Sequence, residues 1–287
     1  MSTSLVDRPP IQATIYYLER HELYDQEKPY MFAFDVSTLE IEKTNHRYEE
    51  RVVLINDARG REPIFELDVH GFCFQKAPTN LKGSDFDDDE AIRNKYYPEV
   101  REVLRAQFPD AVEIHIFAHL RRKRPSNFNG SVTEEVFAGP IVFAHADFSQ
   151  HGALERLRPF LEENKHLEAN RHEIINVWRV TNGPNDDWPL ALCDYNTVAL
   201  DDLEMSDVIH ENYVGESVRV YFDPKHQWYF LSEQQDDEVV IFRNTDSRGF
   251  EIPFCLHLAF ENTKTDSSKM RESIEVRAVC FFKDEST

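Results

Sequence analysis

Three runs, Ser217-Val-Arg-Val-Tyr-Phe222, Gln227-Trp-Tyr-Phe-Leu231 and Glu238-Val-Val-Ile-Phe242, follow one another across short polar connections. Each is rich in β-branched and aromatic residues and too short for a helix, so each reads as a strand. The same grammar governs the chain from residue 111 onward, at 112–119, 140–148, 173–181, 189–193, 255–260 and 274–282. One helix interrupts it at 152–164, with Leu154, Leu157 and Leu161 on one stripe. Many short strands separated by turns predict a mainly β (α+β) fold, a sandwich or jelly-roll barrel.

Upstream of residue 111 the pattern is mixed. Residues 1–10 read as a loose tail, and 13–18, 51–56 and 65–74 as strands. The acidic run Asp85-Phe-Asp-Asp-Asp89 lacks the glycine and the closing glutamate of a calcium loop. It reads instead as the negatively charged start of a helix over 90–108, whose Ile92, Tyr96, Val100 and Leu104 recur at helical spacing. The expectation is a single domain over 1–287, with a helix-bearing N-terminal part (1–110) packed outside a β core (111–287).

A formal charge of −21 repels phosphate backbones and anionic membrane surfaces, so neither nucleic acid nor membrane is an expected partner. No apolar run reaches membrane-spanning length. The first ten residues lack the basic start and apolar stretch of a secretory signal. Cys73, Cys193, Cys255 and Cys280 show no CxxC or zinc-finger spacing, and a reducing, cytoplasmic setting is expected. The basic spot Arg121-Arg-Lys-Arg124 reads as a solvated turn. Association into a homo-oligomer is left open.

His145-Ala-Asp147 is the first chemical signal. Residues i and i+2 of a strand share a face, so an imidazole and a carboxylate could reach one metal ion from adjacent directions. With 12 histidines among 53 acids, such a pair also arises by chance, and His166-Leu-Glu168 is a second example. That one ends a polar helix. The first lies in an apolar strand, where an unpartnered carboxylate is costly. His257 shares a face with the small Cys255 and Ala259, which leaves room around its ring; its bland alternative is a core histidine bonded to a carbonyl. Arg271, Ser273, Glu275 and Arg277 share one side of the last strand, which by itself describes any solvated strand face. Their order carries more. Two histidines and a carboxylate on one face of an iron leave three positions open, and a downstream Arg-x-Ser supplies a guanidinium and a hydroxyl for an acid.

The motifs Asp68-Val-His70-Gly-Phe72, His145-Ala-Asp147-Phe-Ser149, Asn176-Val-Trp-Arg179, Asn244-Thr-Asp246-Ser247, His257-Leu-Ala-Phe260 and Arg271-Glu-Ser-Ile-Glu-Val-Arg277 occur in an order that resembles the AsaB/CmcJ-type, gibberellin desaturase-like hydroxylase/desaturase family. The resemblance covers most of the chain. It implies a double-stranded β-helix and an Fe(II)- and 2-oxoglutarate-dependent oxygenase that uses O2 on a small molecule of fungal specialised metabolism. It implies His145, Asp147 and His257 as metal ligands and catalytic centre, and Arg271 as the clamp for 2-oxoglutarate with Ser273 beside it. Arg277 stays a rival clamp because it shares the face. Asn176 is expected near the co-substrate, while Arg179 and Trp178 are substrate candidates, Trp178 also reading as core. Hydroxylation or desaturation is the expected outcome. Oxidative cyclisation of an amino-acid-like substrate, a cupin-like metal enzyme and a non-catalytic jelly roll are the competing readings.

Overall fold

The computed structural model describes residues 8–130, 139–265 and 269–283. Among them, fourteen strands form two sheets. The first four are β1 (Ile11–Leu18), β2 (Tyr30–Phe32), β3 (Tyr48–Asp57) and β4 (Phe72–Lys76). The next five are β5 (Ala111–Lys123), β6 (His145–Ala146), β7 (Arg171–Val180), β8 (Leu190–Cys193) and β9 (Leu203–Ile209). The last five are β10 (Val214–Val220), β11 (Trp228–Phe230), β12 (Glu238–Asp246), β13 (His257–Ala259) and β14 (Glu272–Phe282). One sheet runs β1-β3-β11-β8-β13-β6-β10-β9-β2, the other β4-β12-β7-β14-β5.

The longer sheet curls until β1 meets it again. Tyr16 bridges to Phe143 and Leu18 to Tyr221, and the Ala144 amide donates to the Tyr16 carbonyl at 2.8 Å. The curl encloses its own apolar layer, in which Tyr17, Trp228, Phe254, Leu256, Val218 and Ala144 pack together. Between the two sheets lies a second layer with Trp178, Val180, Phe242 and Leu192. Period-2 alternation along β14 sends Ile274, Val276, Ala278 and Cys280 to the outer layer and leaves Ser273, Glu275 and Arg277 facing inward.

The N-terminal 110 residues are therefore not simply a helical layer outside the core, as the sequence suggested. Their strands join both sheets. Their helical portion runs from Asp89 to Gln107 through a π turn over Ile92–Tyr96, and Asp88 caps its start by accepting from the Glu90 amide at 2.9 Å. As the spacing predicted, Ile92, Tyr96, Val100 and Leu104 are buried, against the outer face of the five-stranded sheet.

Residues 65–74 are not one strand: a helical turn (Leu67–His70) precedes β4. Gly71 ends that turn at φ +84, and a Cβ there would lie 2.3 Å from the Phe254 carbonyl oxygen, so only glycine fits. Asp68 and Glu173 meet the guanidinium of Arg243 at 2.6 Å each, which explains part of the Asp68-to-Phe72 motif as structural. The Gln150–Glu163 helix buries Ala153 and Leu157 while Leu154 is exposed. Arg121 to Arg124 form no solvated turn. Arg121 and Lys123 pair with Asp87 and Glu272, Arg124 pairs with Asp187, and Arg122 points inward. The four cysteines are buried and unpaired. Among the described residues no helix is long and apolar enough to cross a membrane.

Candidate metal centre

β6 is two residues long, and its register decides the site. His145 lies directly opposite His257 on β13. Directly opposed residues of an antiparallel pair share a face at close range, and the two imidazole centroids stand 4.4 Å apart. The Nδ1 of each ring bonds to the carbonyl two residues earlier, Phe143 at 3.0 Å and Cys255 at 3.3 Å. A carbonyl can only accept, so each Nδ1 carries the proton and each Nε2 lone pair is left for a metal. Burial, with His257 adding to it, holds the His145 pKa well below its ordinary value, which keeps the ring neutral as ligation requires.

Asp147 follows two residues on. Its ligand atom and those of the two histidines lie within 4.8 Å of one another. Burial alone would raise its pKa; Arg277 first, then His257 and His145, outweigh that and pull it below the usual carboxylate range. The carboxylate is held on both sides. Asn176 Nδ2 donates to Oδ2 at 2.8 Å, and Arg277 Nη2 sits 2.8 Å from Oδ1. Asn176 and Arg277 are register partners on β7 and β14, so one pair of facing strands supplies both. The Asp147 amide donates to Asn244 Oδ1 at 3.1 Å. Asn244 sits where the β12–β7 register shifts, and such a bulge re-aims a side chain. Ser149, three residues past the end of β6, starts the next helix by accepting from the Gly152 amide at 3.0 Å.

Asn176 thus bonds to Asp147, whereas the sequence reading placed it beside the co-substrate. Removing its amide should cost iron affinity without removing a ligand. Asn176→Ala is expected to weaken iron(II) binding by about 10- to 100-fold, the usual effect of losing a partner of a ligand. Anaerobic competition with a chelator measures it, and an unchanged affinity rejects the bracing role.

The two arginines differ. Arg277 bonds to Asp147 and, through Nε, to Glu275 at 2.9 Å. Burial would lower its pKa, but those two carboxylates raise it. Arg271 is buried, yet its side chain meets no carboxylate within 4 Å among the described residues. Its Nη1 donates to the Trp188 carbonyl at 2.7 Å and its Nε to Ser273 Oγ at 3.2 Å, with Trp178 under the guanidinium at 5.1 Å. Burial, then Arg122, pushes its pKa down to about 9. Arg271 is therefore a cation short of an anion, in one chamber with His145, Asp147, His257 and Trp178.

That chamber adjoins an outer cleft of about 350 Å³, and His145, Asp147, Arg122 and Arg277 line both. Arg179 reaches neither. It faces outward from β7 and donates to Tyr96 Oη, the Ala77 carbonyl and the Asp236 carbonyl at 2.7, 2.9 and 3.0 Å. His166 lies exposed after the Gln150–Glu163 helix, outside the cluster. Sequence reasoning missed Asn244 and Arg122. Asn244 stood in a motif without a role, and Arg122 was hidden in the basic run 121–124 that read as a solvated turn.

The donor set fits a facial iron(II) site: two neutral imidazoles and one ionised carboxylate converge from one side, with cationic side chains behind. Comparisons with known proteins agree. Residues 15–281 match the family described as the Oxidoreductase/YMDC permease-like domain. The chain is 32% identical over 267 residues to the hydroxylase/desaturase CTB9 of Cercospora beticola, covering 83% of this chain and 79% of that protein. It is 28% identical to the Fe(II)/2-oxoglutarate-dependent dioxygenase nvfI of Aspergillus novofumigatus, covering 83% and 86%. The solved structure of the iron and alpha-ketoglutarate-dependent endoperoxidase NvfI superposes with a TM-score of 0.82 at 25% identity, covering 96% of this chain and all of that one.

Proposed function

Because this chain belongs to the Oxidoreductase/YMDC permease-like family, and with it to the Fe(II)/2-oxoglutarate-dependent hydroxylase/desaturases, we infer an oxygenase built on the cluster just described. It hydroxylates or desaturates a small molecule of fungal-type specialised metabolism, using Fe(II), 2-oxoglutarate and O2. The observation that carries our assignment of residues is the convergence of His145, Asp147 and His257 within 4.8 Å, in a chamber that also holds Arg271.

In this reading His145 Nε2, Asp147 and His257 Nε2 hold the iron. When bound, iron(II) with 2-oxoglutarate and O2 supplies an oxidant able to take a hydrogen atom from an unactivated carbon, releasing succinate and carbon dioxide. The protein's part is geometry. Arg271 grips the far carboxylate of 2-oxoglutarate with a planar, bidentate fork, and Ser273 braces the arginine. Arg277 and Asn176 fix the Asp147 carboxylate, and Asn244 holds the Asp147 backbone amide. Phe117, Phe143, Phe148 and Leu120 line the outer cleft and keep water from the reacting carbon.

The two curled, facing sheets support reading the architecture as a double-stranded β-helix. The N-terminal strands sit in both sheets, which supports one oxygenase domain over 1–287. Four unpaired buried cysteines suit a reducing compartment, and we place the protein in the cytoplasm. An amino-acid-like substrate for cyclisation would need charged side chains such as Arg179, Arg277 and Glu275 to face its zwitterion. Arg179 faces away, and the other two bind each other.

Anaerobic titration of metal-free protein with iron(II) and then 2-oxoglutarate tests the reading. One equivalent of each should produce the visible metal-to-ligand charge-transfer band of a chelated keto acid. Iron binding without the band would favour a cupin-like enzyme, and no iron binding would end the oxygenase assignment.

A further inference from the structure

On the site face of the nine-stranded sheet, register places Arg219 on β10 opposite His145 on β6, and His145 opposite His257 on β13. Arg219 thus stands one strand spacing, about 4.8 Å, to the side of the proposed metal ligands. It lines the outer cleft, whereas Arg271 lies in the inner chamber with His257 and Trp178. The two arginines thus line different cavities, both bordered by His145 and Asp147.

Arg219 is 2% exposed, and none of its partners is an anion. Nη1 donates to Ser217 Oγ at 2.9 Å, Nη2 approaches Met31 Sδ at 3.4 Å, and the guanidinium lies 4.8 Å from the centre of the Phe143 ring. Its Nε is buried without a hydrogen-bond partner. No carboxylate lies within 4 Å of it among the described residues. Glu204, opposite Arg219 on β9, instead accepts from Tyr221 Oη at 2.8 Å and makes no ion pair with Arg219; the other polar groups beside it are neutral. Tyr48 Oη meets His46 Nδ1 at 3.2 Å and His46 Nε2 meets Ser206 Oγ at 2.7 Å. Burial, then Arg219 itself, lowers the His46 pKa to about 2, and burial raises that of Tyr48. Glu216, the nearest carboxylate in sequence, is engaged by Lys28 and Ser149. The same protein shows the usual arrangement at Arg243, equally buried and met by two carboxylates at 2.6 Å. A buried cation left without a counter-ion is expensive, and here the open side is a ligand cleft. In a chain of net charge −21, such a site draws an anion inward by local field alone.

We propose that Arg219 anchors a carboxylate on the substrate, whose apolar body lies along the cleft beside Phe143, Phe117 and Leu120. This rests on the oxygenase reading and adds the substrate class: a largely apolar carboxylic acid. A planar carboxylate matches the Arg219 guanidinium in bidentate fashion, and the rings and thioether around that guanidinium suit an apolar body next to the acid group. The cleft, about 350 Å³, is at the small end of ordinary ligand sites, roughly 300–1,000 Å³.

The test uses full-length protein loaded anaerobically with iron(II) and saturating 2-oxoglutarate. Binding of matched acid and amide pairs (phenylbutanoate and phenylbutanamide, decanoate and decanamide, and further aryl and alkyl bodies) is read by calorimetry. The charge-transfer band is recorded in the same samples. The wild type is expected to prefer acids by about tenfold or more, and Arg219→Gln to reduce that preference to within about threefold while the band persists. If no acid in the panel outbinds its amide, or if the preference survives Arg219→Gln, the proposal is overturned with the oxygenase reading intact. If the band never forms in the wild type, the oxygenase reading fails instead. Should Arg219→Gln not fold, Arg219→Lys replaces it: losing the fork must cut the preference several-fold, and an undiminished preference overturns the proposal.

Discussion

Asp147→Ala is expected to abolish stoichiometric iron(II) binding and to lower 2-oxoglutarate turnover by more than about a thousandfold, since removing only a partner of a ligand costs 10- to 100-fold. Charge matters here as well as coordination. Two neutral imidazoles remain, and they hold a divalent cation far less well than two imidazoles and a carboxylate. Arg277, 2.8 Å from Asp147 Oδ1, then points its charge into the space the metal needs. Asp147→Asn separates the effects, because it keeps the volume and the bond with Asn176 while losing the negative charge. Both variants should melt cooperatively, with iron retained on desalting measured by a colorimetric chelator. One equivalent of iron in either variant, with turnover near wild type, would mean that Asp147 is not a ligand.

The second large effect distinguishes two arginines that share a strand face. Arg271→Gln should raise the dissociation constant for 2-oxoglutarate by about 100- to 1,000-fold, because truncating one partner of a buried charge pair costs roughly 2–5 kcal/mol and each 1.4 kcal/mol is tenfold. Its iron affinity should stay within about threefold, because the side chain touches no proposed ligand. Arg277→Gln should do the reverse and weaken iron first, by about 10- to 100-fold, through the loosened Asp147 carboxylate. Titrating the charge-transfer band with 2-oxoglutarate at saturating iron reads the first constant, and chelator competition reads the second. If Arg277→Gln carries the loss of 2-oxoglutarate binding while Arg271→Gln binds normally, the roles are exchanged.

Much of this site is visible in one dimension. A strand repeats every two residues, so His145 with Asp147, and Arg271 with Ser273 and Arg277, had to share faces wherever those segments formed strands. The resemblance of the motifs, in their order, then connected those faces to one chemistry, and the family comparisons agree. The same periodicity set Asn176 and Trp178 opposite Arg179 without saying which set looks inward. Packing decided that. Trp178 fills the layer between the sheets, so Arg179 turned out to Tyr96 and the carbonyls at the outer face.

What the residue order determined alone was local: strand-rich segments after residue 111, the buried stripe from Ile92 to Leu104, and which side chains share a face. Tertiary structure decided which faces meet. His145 lies opposite His257 across more than a hundred residues of chain, and Arg219 opposite His145 across more than seventy. The sheet is closed by β1 from the N-terminus, and Asn244 reaches Asp147 from the point where the β12–β7 register shifts. The physical reason is the range of the forces involved. Side-chain direction follows from sterics within a residue or two. Pairing register is selected by burial and ladder hydrogen bonds between segments far apart in the chain, where a one-residue slip would turn every side chain to the other face.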